Sequence, residues 1–216
     1  TNTAGSITSQ VSANPTAGVS IVTYTGNASG SATVGHSLGT TPQMVIVKNR
    51  SQATSWICWF EGTTTVNSFL YLNQTATLQT ISGYWGGVPN STTFTVNSSF
   101  NSINASGDTY VAYCFSEVPG YSSFGSYVGN ASADGPFVFL GFRPAFVITK
   151  SADATAGSGD WTIHDTARRA YNTNDLRIFA NASSAESTSE AMDMLSNGFK
   201  IRATNSNCNT GNGKYI

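Results

Sequence analysis

The chain has 216 residues, of which 39% are hydrophobic and 10% charged, and its formal net charge is −1. This length fits one large domain or two domains of about a hundred residues each. A nearly neutral chain has no basic surface with which to neutralise phosphates, and no apolar run approaches the roughly 18 residues of a membrane-spanning helix. We therefore expect neither a nucleic-acid partner nor membrane insertion.

The rest of the composition predicts an all-β fold. Ser, Thr, Asn and Gly are abundant, while strong helix formers are scarce. These residue types favour strands and turns over helices, and the hydrophobic content is too high for a disordered chain.

The first nineteen residues carry no clear periodicity. Residues 1–19 are small and polar and include Pro15 and Gly18. Small polar residues with Pro and Gly among them are typical of connecting segments. We expect a linker or an N-terminal extension.

Short apolar, β-branched runs then follow one another, separated by Gly, Asn, Ser and Pro. About seven short strands with regular turn signals indicate a β-sandwich or jelly roll. The predicted strands of the first hundred or so residues include 21–24, 43–48, 56–60, 68–72, 92–96 and 110–115.

A phrase near the start of this region occurs twice. Residues 24–29 read Tyr-Thr-Gly-Asn-Ala-Ser, and residues 127–132 read Tyr-Val-Gly-Asn-Ala-Ser. The surrounding residues match as well, and the spacing drifts only in predicted loops, as duplication with loop variation predicts. We predict two tandem homologous β-sandwich, jelly-roll-like domains, at 20–118 and 119–216, in which each copy of the phrase is the entry strand and first turn.

The second predicted domain lacks its last strand. Its final residues, 214–216, align with 109–111, so residues 112–115 have no counterpart. We expect the second domain to be truncated at its C-terminus.

The three cysteines are interpreted as reduced core thiols. Cys58 aligns with Ile163 and Cys208 with Ile103, while Cys114 lies in an apolar run. A position that takes Cys in one copy and Ile in the other is most simply a buried apolar site. No spacing fits a metal site or a disulfide framework, and we expect no cofactor.

Two patterns invite a catalytic interpretation, and neither is sustained. Residues 35–39 match the Gly-x-Ser-x-Gly nucleophile elbow, but a β-branched run follows where the elbow needs a helix. His164 and Asp165 are adjacent in a predicted strand and should point to opposite faces. We expect no enzyme, and interpret Asp165 as a strand-end turn brace paired with Arg168 or Arg169.

Two groups of aromatic residues suggest contacts. Tyr84 and Trp85 lie in a glycine-rich loop, where they form either a sugar-stacking platform or a plug of the core. Tyr121, Phe124 and Tyr127 lie where the two copies meet, and we expect them to join the domains.

Five stretches of the sequence carry a resemblance to a known family, at residues 35–50, 110–127, 134–138, 141–147 and 195–200. They resemble tail-fibre and other virion-surface proteins of tailed bacteriophages, marine ones especially. Members of that group usually end Tyr-Ile-Tyr-x-Ala-Phe-Ala-Glu, and this chain ends after the first two of those residues. The similarity runs from about residue 20 to residue 216 and is most specific at the junction of the two copies.

The resemblance implies a non-enzymatic β-sandwich module on the surface of a phage particle, acting outside the cell. Two functions are compatible with it: attachment to host-surface glycan, and a purely structural role in which the partners are other virion proteins. We also expect a homo-oligomer. Specificity should lie in loops where the copies differ.

Overall fold

The computed structural model describes residues 1–62, 65–97, 100–157 and 159–216. It confirms the all-β class: several antiparallel sheets are accompanied by a one-turn 3₁₀ helix at Pro15–Ala17. Within these ranges, no helix has the length and apolar character needed to cross a membrane. The chain divides into two compact units.

Unit 1 comprises Thr1–Tyr71 and Gln79–Val118. One sheet has seven strands in the order β1-β2-β9-β4-β5-β6-β7, and β3 pairs with β8 in a second sheet. The strands are β1 (Ser9–Asn14), β2 (Val19–Thr25), β3 (Ala32–Gly35), β4 (Met44–Asn49), β5 (Ile57–Phe60), β6 (Ser68–Tyr71), β7 (Gln79–Thr80), β8 (Thr93–Val96) and β9 (Thr109–Phe115).

The core of unit 1 lies between its two sheets. Val22, Val45 and Ala112 from the large sheet pack in one cluster with Val34 and Phe94 from the small one. Burial alternates along β2 and β9, because successive side chains of a strand point to opposite faces. This is the arrangement of a β-sandwich.

The N-terminal residues are not a linker. β1 pairs with β2 along its whole length, and Ile7 is buried and forms a bridge to Val34. The side chains of β1 are mostly exposed, so backbone hydrogen bonds rather than an apolar stripe hold this segment. A strand held by backbone bonds needs no alternation of apolar and polar residues, and for that reason the sequence of residues 1–19 predicted a linker.

Unit 2 comprises Leu72–Leu78 and Pro119–Ile216. Its sheets are β10-β17, β11-β16-β15 and β12-β13-β14, and its core is centred on Met192, Met194 and Ile201. The strands are β10 (Tyr127–Val128), β11 (Phe137–Phe139), β12 (Phe146–Thr149), β13 (Thr162–Asp165), β14 (Ile178–Phe179), β15 (Met192–Leu195), β16 (Gly198–Ile201) and β17 (Lys214–Tyr215).

Besides residues 1–19, which belong to unit 1, one further segment departs from the predicted domains. Leu72–Leu78, predicted in the first domain, belongs to unit 2. The buried Lys150 donates a hydrogen bond from Nζ to Thr75 O at 2.8 Å, and Gly159 donates its N–H to the same oxygen at 3.1 Å. A polar loop held by such long-range bonds carries no local signal of where it packs.

The doubled phrase makes the same contacts in both units. Tyr24 OH donates to Ile103 O at 2.7 Å, and Tyr127 OH donates to Cys208 O at 2.8 Å. Each tyrosine lies in an entry strand, as predicted. The duplication of whole domains stays a prediction.

The asparagine of the phrase is recognised by a second, buried asparagine. Asn104 Oδ1 accepts the N–H of Asn27 at 3.0 Å, and Asn209 Oδ1 accepts the N–H of Asn130 at 2.7 Å. The phrase therefore has a structural role in each unit. It satisfies the backbone of the first turn and ties it to the last loop of the same unit.

Candidate functional site

A cleft of about 470 Å³ opens on unit 1. This volume lies within the range of about 300–1,000 Å³ that small-molecule sites occupy. The segment before β5, the ends of β6 and β7, and the loop that precedes β9 form its walls. The lining residues are Thr54, Ser55, Ile57, Tyr71, Ile81, Tyr84, Phe100, Asn101 and Ser102.

One wall of the cleft is built from packed aromatic rings. Tyr84 lies between Phe69 and Phe100, with centroid distances of 4.0 Å and 4.2 Å. Tyr71 meets Phe69 edge-on at 5.2 Å. The rings fix one another, so Tyr71 and Phe100, both partly buried, offer a rigid apolar surface to the cleft.

Neutral polar groups border the aromatic wall. Tyr84 OH and Ser102 Oγ are 2.5 Å apart. Burial raises the pKa of Tyr84 to about 12, against the opposing hydrogen bond from Ser102, so the hydroxyl remains protonated at neutral pH. Thr54 Oγ1 is buried without a hydrogen-bond partner among the described residues.

The loop that carries Asn101 is anchored by hydrogen bonds from buried residues. Asn101 O accepts hydrogen bonds from Asn49 Nδ2 at 2.7 Å and from Tyr110 OH at 2.8 Å. Asn49 and Tyr110 are both fully buried. The exposed Asn101 is therefore presented on a backbone that the core fixes in place.

These groups can recognise a neutral ligand through stacking and hydrogen bonds. None of the lining residues is a Lys, Arg, Asp, Glu, His or Cys. Because hydroxyl and amide groups line the cleft beside aromatic rings, it suits a polyhydroxylated molecule better than an ion.

The prediction that Tyr84 and Trp85 form an exposed sugar-stacking platform is wrong. Tyr84 is only 3% exposed and Trp85 only 2%. Both belong to the core cluster, so Trp85 plugs the core and only Tyr84 reaches the cleft. Burial of an aromatic ring lowers the free energy of the folded chain more than exposure in a loop does. The local sequence around a Tyr-Trp pair does not show whether the rings are buried or exposed.

The Gly-x-Ser-x-Gly motif is a strand-end turn. The ring of His36 is buried, and its Nδ1 accepts the N–H of Leu38 at 3.2 Å while Nε2 lies 3.0 Å from Asn90 O. Burial lowers the pKa of His36. Ser37 Oγ accepts a hydrogen bond from Asn2 Nδ2 at 2.7 Å. The histidine is thus committed to backbone groups rather than to the serine.

The charged segment after β13 forms a brace around Arg168. Arg168 Nε lies 2.6 Å from Asp165 Oδ2, Nη1 lies 2.8 Å from Glu186 Oε2, and Nη2 donates to Ile163 O at 3.0 Å. Asp165 also accepts the backbone N–H of Arg168. Arg168 is thus the partner of Asp165, and the pairing closes a turn.

The three predicted junction residues differ in exposure and surroundings. Tyr127 packs inside unit 2, where its ring stacks on Tyr215 at 5.1 Å and meets Phe199 edge-on. Tyr121 is exposed and Phe124 is partly buried. The ring contacts of Tyr127 thus belong to the core of its own unit, and the joining role of the three residues stays a prediction.

The cysteines match the prediction from the sequence. Cys58, Cys114 and Cys208 are all free and buried. Burial raises the pKa of the Cys208 thiol to about 12. Among the described residues, no group of three or more His, Cys, Asp or Glu side chains could hold a metal ion.

The aromatic wall and its polar border were missed by the sequence analysis. Phe100 lies in a loop rich in Ser and Asn and has no periodic partner, so only its contact with Tyr84 reveals its role. Tyr71 offered a weak signal, since the alternation of β6 places it on the same face as Phe69.

Comparison with known proteins identifies the family but no activity. A family model described as a domain of unknown function (DUF7483) matches residues 1–216. The chain therefore belongs to the DUF7483 family. No curated protein and no solved structure matches the chain.

Proposed function

We propose that the chain is a non-enzymatic module of a phage particle surface, associated with a tail or fibre, that attaches to host-surface glycan through the cleft of unit 1. The observation that carries the proposal is the lining of this cleft. It combines the aromatic surface of Tyr71 and Phe100 with the neutral polar groups of Asn101 and Ser102. Sugars present both an apolar face of C–H groups and a rim of hydroxyls, and this lining matches both.

The electrostatics of the chain support a neutral ligand. With a net charge of −1 and only 10% charged residues, the protein has little long-range attraction for charged partners. Recognition then depends on short-range contacts within the cleft. Asn49 and Tyr110 hold the backbone of the loop that carries Asn101, and this limits the conformational entropy that the loop loses on binding.

The placement on a virion rests on the resemblance of the sequence to phage tail-fibre and virion-surface proteins. A protein at that location acts outside the host cell and has other virion proteins as neighbours. Buried reduced thiols are compatible with this setting, because burial protects them from oxidation.

A purely structural role in the particle is the second candidate. The exposed aromatic residues on β11 of unit 2 favour it, because apolar side chains on a surface indicate a protein partner. The two roles are compatible, since the cleft and β11 lie on different units.

The test is a glycan array probed with the whole chain and with two matched variants. Ile81 lines the cleft and is 41% exposed, whereas Ile21 is 44% exposed and lies on β2 outside it. We expect Ile81→Ala to weaken binding about fivefold to tenfold and Ile21→Ala to leave it unchanged. No binding to any glycan, or equal loss in both variants, would contradict the proposal.

A further inference from the structure

Among the residues that the structure describes, strand β11 is an open sheet edge with two exposed phenylalanines. It pairs with β16 on one side and is the outermost strand of its sheet. Phe137 is 44% exposed and Phe139 is 69% exposed, while Val138 between them packs against the core of unit 2. The strand carries no charged residue, although charged side chains commonly protect such edges.

The backbone of β11 directs its unused hydrogen-bonding groups outward. Leu140 donates its N–H to Asn197 O at 2.9 Å, and Pro136 O accepts the N–H of Ile201 at 3.0 Å. In an antiparallel pair, alternate residues bond to the neighbouring strand. Pro136 and Leu140 face β16, so the N–H and C=O groups of Phe137 and Phe139 face away from it.

The matching edge of unit 1 is covered by the chain itself. Strand β3 pairs with β8 as β11 pairs with β16, and its outward residues are Thr33 and Gly35. Thr33 O accepts the N–H of Ile7 at 2.9 Å, and Thr33 N–H donates to Ser6 Oγ at 2.9 Å. The segment before β1 thus satisfies at Thr33 the groups that β11 exposes at the matching Phe137.

We propose that β11 is a homodimerisation edge, at which the β11 strands of two copies pair antiparallel about a two-fold axis through Val138. This register places Phe137 opposite Phe139 of the second copy. Both residues direct their N–H and C=O groups outward, so each such pair exchanges two hydrogen bonds. The result is one continuous sheet across both copies, with the four phenylalanine rings clustered on its outer face.

A second copy is the occupant that this edge fits best. A two-fold interface requires a self-complementary surface, and a Phe-Val-Phe strand reads the same in both directions. The cross-strand neighbour of Phe137 is also paired, because Lys200 forms a 2.7 Å ion pair with Asp134. Two copies therefore meet at this edge without like-charge repulsion.

The first experiment is sedimentation of the whole chain and of three variants. Phe139→Pro removes an outward N–H without touching the bonds to β16, and Phe139→Lys adds a charge at the edge. Tyr171→Lys is the control, since Tyr171 is the most exposed large hydrophobic residue of those on unit 2. We expect a dimer for the wild type and for Tyr171→Lys, and folded monomers for both Phe139 variants.

The second experiment tests the register. The chain's own cysteines are buried, so introduced thiols are the reactive ones. An equal mixture of Phe137→Cys and Phe139→Cys chains should form disulfide-linked dimers that contain one chain of each kind, while either variant alone should form few. A monomeric wild type, a dimer that survives both Phe139 variants, or a protein that dimerises only with a different virion component would overturn the proposal.

Discussion

The ring of Tyr24 stacks on the ring of Tyr110, with 4.9 Å between centroids and 14° between planes. Tyr127 and Tyr215 stack in the same way, at 5.1 Å and 14°. In both units the first tyrosine belongs to the doubled phrase and the second to the last strand. The stack therefore joins the beginning and the end of each unit across its core.

The second tyrosine of each pair also organises the loop before it. Tyr110 OH accepts the N–H of Ala105 at 2.8 Å and donates to Asn101 O at 2.8 Å. Tyr215 OH makes the equivalent two bonds in unit 2. In unit 1 this loop borders the cleft, so the repeated core motif supports the candidate binding site.

The buried asparagine behind the phrase should be a major source of stability. Asn104 accepts the N–H of Asn27 at 3.0 Å and donates to Ser29 O at 2.9 Å. Replacing the fully buried Asn104 by Ala removes both hydrogen bonds to the first turn, which we expect to lower the free energy of unfolding by about 1–3 kcal/mol. Urea denaturation measures this, and Asn101→Ala, at an exposed position, should change stability by less than about 0.5 kcal/mol. Equal losses in both variants would refute this role.

Acid should destabilise unit 2 through His164. Burial, assisted by the nearby Arg168 and Arg177, lowers the pKa of His164 to about 4, and Asp165 and Asp175 oppose the shift only in part. The unfolded chain, with a pKa near 6.5, takes up the proton first. Stability is therefore complete above about pH 6.5 and declines as the pH falls towards about 4.

The loss across this window should reach about 3 kcal/mol. The measurement is urea unfolding at about pH 7 and about pH 5, for the wild type and for His164→Gln. We expect the variant to lose less stability between the two pH values. His36, whose pKa burial also lowers, contributes in the same direction and remains present in both proteins. The same pH dependence in the variant would show that His164 is not responsible.

The brace around Arg168 should contribute more than the neighbouring ion pair. Arg168 bonds to Asp165, Glu186 and a backbone carbonyl. Arg169 makes a single ion pair, with Asp175 at 3.1 Å, and this pair is more exposed to solvent. We expect Arg168→Ala to cost about 1–2 kcal/mol and Arg169→Ala less than about 0.5 kcal/mol, because exposed pairs are screened by solvent. Thermal or urea unfolding of the two variants compares them directly, and a reversed order would contradict the assignment.

The thiols should be unreactive in the folded protein. Burial raises the pKa of Cys114 well above its ordinary value, and it raises that of Cys208 to about 12. We expect a thiol reagent to modify none of the three cysteines under native conditions and all three in denaturant. Fast modification of any cysteine in the folded protein would show that its site is open.

The fold class was predictable because it depends on patterns that repeat along the chain. The β-branched runs at β4 and β9, and the doubled phrase, mark strands and turns wherever they occur. By contrast, β1 was missed because its side chains face solvent and its stability comes from backbone pairing with β2. Hydrophobic periodicity cannot report a strand of that kind.

The candidate site was less predictable than the fold. Trp85 and Tyr84 were visible as aromatic residues in a loop, but their burial depends on rings that are distant in sequence, such as Phe69. The cleft exists because Phe100 returns to stack on Tyr84. Such a surface follows from tertiary contacts, and no local pattern records it.

The most direct test of glycan attachment is a crystal structure of the whole chain with the oligosaccharide that binds best on the array. We predict that a sugar ring lies in the cleft of unit 1 against Tyr71 and Phe100, with its hydroxyls bonded to Asn101 and Ser102. An oligosaccharide bound elsewhere on the chain, with the cleft empty, would contradict the proposed function.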